Sequence, residues 1–325
     1  MNSNIIQLEL GFDKIVLTVS PPKNSAEYGK GYVQYLKAEC LDKINAKFAS
    51  HSAQNGYRVA LRMLHPAWKS EAAPLLQASP YDPNKPYFRL EFNPNLLGTA
   101  GIAALKDWID EHTPHGWPLF LKSARVSRID ANIDAGGLPL ERVFARARCA
   151  RTCEVWSRKG DIESIEYGEP QTLYHGQKAK SKKLYRIYGL NDPTKVPKGC
   201  TTATRFEAVD RKSHPPLTDL HKIKSPFTDL IVHSALAAKP ATWPEGNWRM
   251  FLRVAGDHGL PVARMMLTPA QRKQADAALA AAPIAGLDFK ETWEAWPLLI
   301  TWLGLQKPGS NGGFMPGYAS EHIDA

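Results

Sequence analysis

Tyr188 closes a short alternating stretch, Leu184-Tyr185-Arg186-Ile187-Tyr188, that follows Lys178, Lys180, Lys182 and Lys183 in a run without acids. Side chains alternate along an extended strand, so Leu184, Arg186 and Tyr188 share one face and Tyr185 and Ile187 the other. A phenol beside a guanidinium, next to a lysine loop, can hold a phosphate close to a nucleophilic oxygen. The phenol's ordinary pKa of about 10 makes it a poor nucleophile at neutral pH, and nearby cations are expected to lower it. Arg186 can clamp phosphate oxygens in bidentate fashion. Tyr174, in Thr172-Leu173-Tyr174 across the loop, is a second candidate, and His175 can donate to a phosphate or bind a metal. The competing reading of Tyr188 is an aromatic at a sheet edge, and that of His175 a simple strand-end residue.

Val126 to Asp134 offers acids to match. Its even positions are Val126, Arg128, Asp130, Asn132 and Asp134, and its odd positions are Ser127, Ile129, Ala131 and Ile133. One face is apolar and the other carries two carboxylates, an amide and a guanidinium. Asp130 and Asp134 lie about 13 Å apart along a strand, so one metal cannot take both without a bulge. A better site joins one of them to a carboxylate on a neighbouring strand, and Glu207, sharing a face with Arg205, suits this. Hard oxygen donors with few histidines nearby fit Mg²⁺ or Mn²⁺ rather than zinc. The bland alternative is a solvated face laced by cross-strand ion pairs.

These residues need strands to position them. Gly11–Ser20, Tyr57–Leu64, Pro86–Asn93, Ala124–Asp134, Lys183–Gly189 and Thr201–Asp210 read as strands, with another inside Ser164–Gly176. Gly29–Phe48, Gly98–His112 and Leu138–Ala150 read as helices, and Ala72–Lys85 as a proline-punctuated loop. The order strand–helix–strands occurs twice, and Arg89-Leu90-Glu91 echoes Arg205-Phe206-Glu207. The expected class is α+β: a mostly antiparallel sheet covered by helices, as two duplicated β-α-β-β half-domains would give. The expected units are residues 1–115, 120–215 (holding the site), a helical region 225–306 and a disordered tail 307–325. In the helical region, Arg264, Arg272 and Lys273 can touch nucleic acid.

The 325 residues carry a net charge of +9, which favours a polyanionic partner, nucleic acid before anionic membrane. MNSNIIQLEL has neither a basic start nor a long apolar run, so no secretory leader is expected. No apolar stretch is long enough to span a bilayer. Cys40, Cys149, Cys153 and Cys200 form no disulfide framework, and Cys149 and Cys153, on an expected helix, lack a second ligand pair for zinc. The expected place is a reducing cytoplasm, with no membrane partner.

Together these segments resemble the replication initiation factor family of small plasmids and filamentous phages, the rolling-circle initiators. The matching residues are Arg128-Ile129-Asp130 with Asp134, Thr172-Leu173-Tyr174 with Gly176, Arg186-Ile187-Tyr188, and Thr204-Arg205-Phe206-Glu207. Phe88-Arg89-Leu90-Glu91-Phe92-Asn93-Pro94 resembles a segment of the phage members. The resemblance spans roughly residues 10–212. It implies site-specific nicking and rejoining of origin DNA through a tyrosine linked to the 5′ phosphate. Tyr188 would be the nucleophile, Asp130 and Glu207 would hold the divalent ion, and Arg186 and Arg205 would steady the phosphate. Arg128, His175 and the lysine loop would contact DNA, double-stranded for recognition and single-stranded for cleavage. A host helicase and polymerase would follow. A homodimer supplying two tyrosines is one way to close the circle. The family carries an acid and a lysine just after its tyrosine, where this chain has Gly189-Leu190. A non-catalytic origin-binding replication or copy-control protein is therefore the alternative.

Overall fold

The computed structural model describes residues 6–19, 48–51, 56–82, 84–112, 116–150, 152–157, 170–177, 181–190, 192–211 and 215–305. The architecture is α+β. A large antiparallel sheet is flanked by helices, and the C-terminal region is helical.

The strands are β1 (Gln7–Val19), β2 (Phe48–His51), β3 (Tyr57–Met63), β4 (Leu75–Pro80), β5 (Phe88–Phe92), β6 (Ala124–Gly136), β7 (Val143–Ala147), β8 (Cys153–Ser157), β9 (Pro170–His175), β10 (Lys183–Gly189), β11 (Ala203–Asp210) and β12 (Leu230–Ser234). Ten form one sheet in the order β2-β3-β4-β5-β1-β6-β11-β10-β9-β8, and β12 pairs with β7 in a second, two-stranded sheet. The long strands β1 and β6 pair at the centre. Outward from them, β5, β4, β3 and β2 lie on one side and β11, β10, β9 and β8 on the other. The registers of the two sides correspond. Arg89 opposes Thr18 as Arg205 opposes Asp134, and Glu91 opposes Val16 as Glu207 opposes Asn132. A local two-fold relation through the Lys14–Asp130 pair superimposes these partners in register.

Alternation decides which face is buried. Phe12, Ile15, Leu17, Leu90, Ile129, Ile133, Phe206, Tyr185 and Ile187 enter the main core. They meet α1 (Pro94–His112), α2 (Gly116–Ser123), and the C-terminal pieces α6 (Phe289–Trp293) and α7 (Trp296–Trp302). Trp293 and Trp296 stack at 4.6 Å, and Phe12 meets Trp296 edge-on at 4.8 Å. Such pairs contribute about 0.5–1.5 kcal/mol each beyond burial. A second cluster, around Trp243, Trp248 and Phe251, joins α3 (Glu245–His258), α4 (Leu260–Met265) and α5 (Pro269–Ala280) to Phe144 of β7. Thr268 and Gln271 form a reciprocal cap at the start of α5, with Pro269 in the first turn. Among the described residues no helix is long and apolar enough to cross a membrane.

Three expectations need correction. Ala72–Lys85 is not all loop, because Leu75–Pro80 pairs with both β3 and β5, its prolines bounding the strand. Leu138–Ala150 is not a helix. It makes a short 3₁₀ turn at Leu140–Arg142 and then β7, whose Val143, Ala145 and Ala147 are buried. Cys149 and Cys153 therefore share no helix, and Cys153 begins β8. Gly29–Phe48, apart from Phe48 in β2, and 307–325 lie outside the described residues.

Candidate active site

The face of the sheet opposite the main core carries the polar residues. On β10, Arg186 pairs in register with Glu207 and Tyr188 with Arg205. On β11, Arg205 pairs with Asp134 and Glu207 with Asn132 of β6. Three neighbouring antiparallel strands thus bring Tyr188, Arg186, Arg205, Glu207, Asp130, Asn132 and Asp134 onto one patch. No single sequence window could show that.

Asp130 and Glu207 are each 2% exposed. Buried carboxylates demand partners, and arginines supply them. Arg128 holds Asp130 through two hydrogen bonds of 2.6 Å. Arg205 holds Asp134 through bonds of 2.6 and 2.7 Å. Arg186 contacts Glu207 and lies 3.9 Å from Asp130 Oδ2 through the same Nη2. One cationic group therefore bridges the Asp130–Glu207 pair. Asn132 stands opposite Glu207, and its Oδ1 is buried without a hydrogen-bond partner. Asn132 Nδ2 donates to Asp134 Oδ1 at 3.3 Å, and its amide lies over Gly11, where any Cβ would collide with it.

Asp130 and Glu207, which Arg186 bridges, and Asn132 opposite Glu207 carry hard oxygens of the type a magnesium-like ion takes. Asp134 is turned away to Arg205. Among the described residues no three His, Cys, Asp or Glu side chains gather as a metal shell, so such an ion would hold two carboxylates at most.

Tyr188 is half-buried on this face, paired in register with Arg205, whose guanidinium favours its phenolate electrostatically. Its pKa is raised, not lowered as expected. Burial outweighs the attraction of Arg205 and Arg186, and Asp13 adds to the rise. Asp13 escaped the sequence reading. It sits at the register shift of β1 between Phe12 and Lys14, with Oδ2 3.2 Å from Arg205 Nη1. Asn95 fixes it, donating to Asp13 Oδ1 at 3.2 Å while accepting from the Phe12 amide at 3.1 Å. Burial raises the Asp13 pKa against the pull of Arg205, with Asp134 and Asp130 adding to it. The only available signal was the Asn93-Pro94-Asn95 turn, which marks a strand end without saying what the second Asn touches. Arg211 was also missed. Its guanidinium donates to Ser181 O at 2.9 Å and interacts with Arg128, Asp130 and Arg186.

Other candidates separate from this group. His175 pairs with Tyr185, on the core side of the sheet. It is 1% exposed, and burial drives its pKa down to about 4. A neutral, buried imidazole cannot contact DNA. It lines a small pocket with Cys153, Leu173 and Leu260 instead. Lys183 is engaged by Asp229 at 2.8 Å, and Lys182 is exposed. Lys178 and Lys180 lie outside the described residues. Tyr174 neighbours Arg186 in register, not Arg205. Leu190 is buried, its amide bonded to Ala203 O. In the helical region, Arg264 is paired with Asp276 and Arg272 caps the carbonyls of Arg264 and Leu267, so both hold α4 against α5. Lys273 is exposed.

No protein-family model matches the chain, and no curated protein matches it. Among solved structures, the chain is similar to a rolling circle replication initiator protein from Geobacillus stearothermophilus. The identity is 14% and the TM-score 0.39, over 78% of this chain and 98% of that one.

Proposed function

We propose that this chain nicks and rejoins one DNA strand at a replication origin, with Tyr188 as nucleophile, and so initiates rolling-circle replication of a phage or plasmid. The observation that carries the reading is the shared patch. A phenol paired in register with Arg205 lies on one sheet face with a carboxylate pair that Arg186 bridges. The motif resemblance described above supports the same assignment.

In this reading Arg205 and Arg186 hold the scissile phosphate by its non-bridging oxygens. The Tyr188 oxygen attacks phosphorus, the P–O3′ bond breaks, and the 3′ oxygen leaves with a proton from solvent. The product is a 5′-phosphotyrosine with a free 3′ hydroxyl, and the reverse reaction reseals the strand. The phenol proton must depart, and Asp13, itself biased towards protonation, is the carboxylate facing Tyr188. Asp130, Glu207 and Asn132 would hold a magnesium or manganese ion, which when bound supplies charge stabilisation at the phosphoryl oxygens. Host helicase and polymerase would act on the product, and a homodimer would supply a second Tyr188.

The test is a search for the covalent link. Incubation with single-stranded DNA from the replicon that encodes the chain, with Mg²⁺, followed by trypsin and mass spectrometry, should place nucleotide on the peptide containing Tyr188. Adduct on another residue, or none, sinks the reading. The raised Tyr188 pKa favours a second reading, an origin-binding replication or copy-control protein without cleavage. That protein would bind the same DNA and leave no adduct.

A further inference from the structure

The other half of the sheet carries a different charge pattern. On β3, β4 and β5 the charged residues are Arg58, Arg62, Arg89 and Glu91. Alternation and register place all four on the face that carries Tyr188 further along the sheet. Lys14 of β1, on the same face, donates to Glu91 at 2.6 Å, and Arg89 donates to Glu91 at 2.6 Å. The single carboxylate is thus neutralised by two cations, while Arg58 and Arg62 are exposed and lack acidic partners on these strands. Arg58 stands over the ring of Tyr81, 5.4 Å from its centroid, and Tyr81 is 59% exposed. Arg62 lies four residues further along β3, about 13 Å away on the same face. An exposed arginine beside an open aromatic ring, with a second arginine in line, is what sequence-tolerant single-strand binding uses, the cations for phosphates and the ring for a base.

We infer that Arg58, Arg62 and Tyr81 form a second, non-cleaving binding site for the same DNA strand, gripping it some distance from the scissile phosphate. The inference rests on the nicking reading for the identity of that strand. Six inter-strand spacings separate β3 from β10, about 29 Å at ~4.8 Å each. A single strand covers that in fewer than roughly ten nucleotides. Tyr81 carries a phenol, but the one carboxylate on β3, β4 and β5, Glu91, is already held by Lys14 and Arg89, so no carboxylate pair faces that phenol and the strand is held there and not cut.

The experiment measures binding of thymidine oligonucleotides by the full chain carrying Tyr188→Phe, so that cleavage plays no part. Fluorescence anisotropy is followed across salt concentrations with strands of about 6 and about 20 nucleotides, the longer able to reach both sites. The expected result is that the longer strand binds more tightly and with a steeper salt dependence. Adding Arg58→Ala with Arg62→Ala should cost the longer strand about tenfold in affinity and lower its salt slope by about 1.4, at ~0.7 per phosphate. Tyr81→Ala alone should cost about tenfold with little change of slope. Arg58 and Tyr81 are exposed, and Arg62 also donates to Ala73 O at 3.0 Å, so each variant is checked for retained fold by circular dichroism. If the double variant binds the longer strand with undiminished affinity and slope, the second site does not exist. This binding result is independent of the adduct. A normal adduct with an unaltered slope removes this site alone, and a lost slope without adduct removes the nicking reading alone.

Discussion

In the first half of the sheet, Arg89 and Glu91 of β5 sit against Thr18 and Val16 of β1. In the second, Arg205 and Glu207 of β11 sit against Asp134 and Asn132 of β6. The same register carried one strand outward puts Gln77 where Tyr188 stands and Leu75 where Arg186 stands. At the centre, Lys14 faces Asp130 across the local two-fold. The backbone frame and the arginine–glutamate pair are common to both halves, and the reacting groups are not. Lys14 closes the first half internally by binding Glu91, whereas Asp130 and Glu207 sit diagonally on neighbouring strands with Arg186 between them. Gln77, fully buried, accepts from Arg89, whereas Tyr188 is half-buried beside Arg205. The first half closes on one carboxylate with two cations, and the second gathers three carboxylates with Arg128, Arg186 and Arg205.

The largest expected effect sharpens that contrast at one register position. Tyr188→Phe should lower strand scission by at least ~10³-fold, measured as relaxed circles per unit time, while changing fold stability little. Gln77→Leu, at the matching position, should do the reverse. It strands the Arg89 guanidinium and costs about 1–3 kcal/mol in urea unfolding, with scission by the folded chain retained. If both variants lose scission alike, the halves are not functionally distinct.

The carboxylates come next. Glu207→Gln should reduce scission about 10²-fold and raise the Mg²⁺ concentration needed for half-maximal rate, and chelation with EDTA should abolish wild-type scission. Glu91→Gln should instead release Lys14 and Arg89, strengthening single-strand binding a few-fold by anisotropy. A Glu207→Gln chain with an unshifted Mg²⁺ requirement would break the assignment of the cation position.

Much of the frame was legible because β1, β5, β6, β10 and β11 alternate cleanly, and alternation alone places Tyr188 with Arg186 and Asp130 with Asn132. What stayed hidden depended on partners distant in the chain. Leu75–Pro80 reads as loop because of its prolines and becomes a strand because β3 and β5 present open edges on both sides. Val143–Ala147 reads as helix because Arg and Ala favour it, but its pairing with Leu230–Ser234 overrides that preference. Pairing of each carboxylate with an arginine could not be read either, since strand register sets it. The direction of the Tyr188 shift was misread for a related reason. Charges are visible in a sequence, and the burial that outweighs them is not.

A smaller effect is expected at Gly11, which lies against Asn132 across the central strand pair. Gly11→Ala would push the Asn132 amide out of place. Scission should fall about tenfold, with a smaller loss of stability, of order 1 kcal/mol, from the displaced amide. A control in the other half, a substitution at Ala60 beside Gln77, should alter stability and not the rate. Equal losses of rate from both would mean that the whole sheet, rather than Asn132, is being read.

The smallest expected effect concerns pH. As the proposed nucleophile Tyr188 would have to lose its proton, and its pKa lies above the ordinary tyrosine value because burial and Asp13 disfavour the phenolate. Raising a nucleophile's pKa reduces its ionised fraction at any pH below it, so the scission rate should climb with pH through the alkaline range without levelling near neutrality. Asp13→Asn removes a negative charge facing the phenol and should move that limb to lower pH. If Asp13 acts through its charge alone, the rate at pH 8 rises a few-fold. If Asp13 takes the phenol proton, the same substitution lowers the rate even as the limb moves. Its raised carboxyl pKa and its contact with Arg205 favour the second outcome. Asp13→Glu should then recover part of the rate, because a carboxylate that only repelled the phenolate would gain nothing from a longer arm. In the first half, Lys14 and Glu91 leave no phenol to ionise, and substitutions there should leave the shape of the profile untouched.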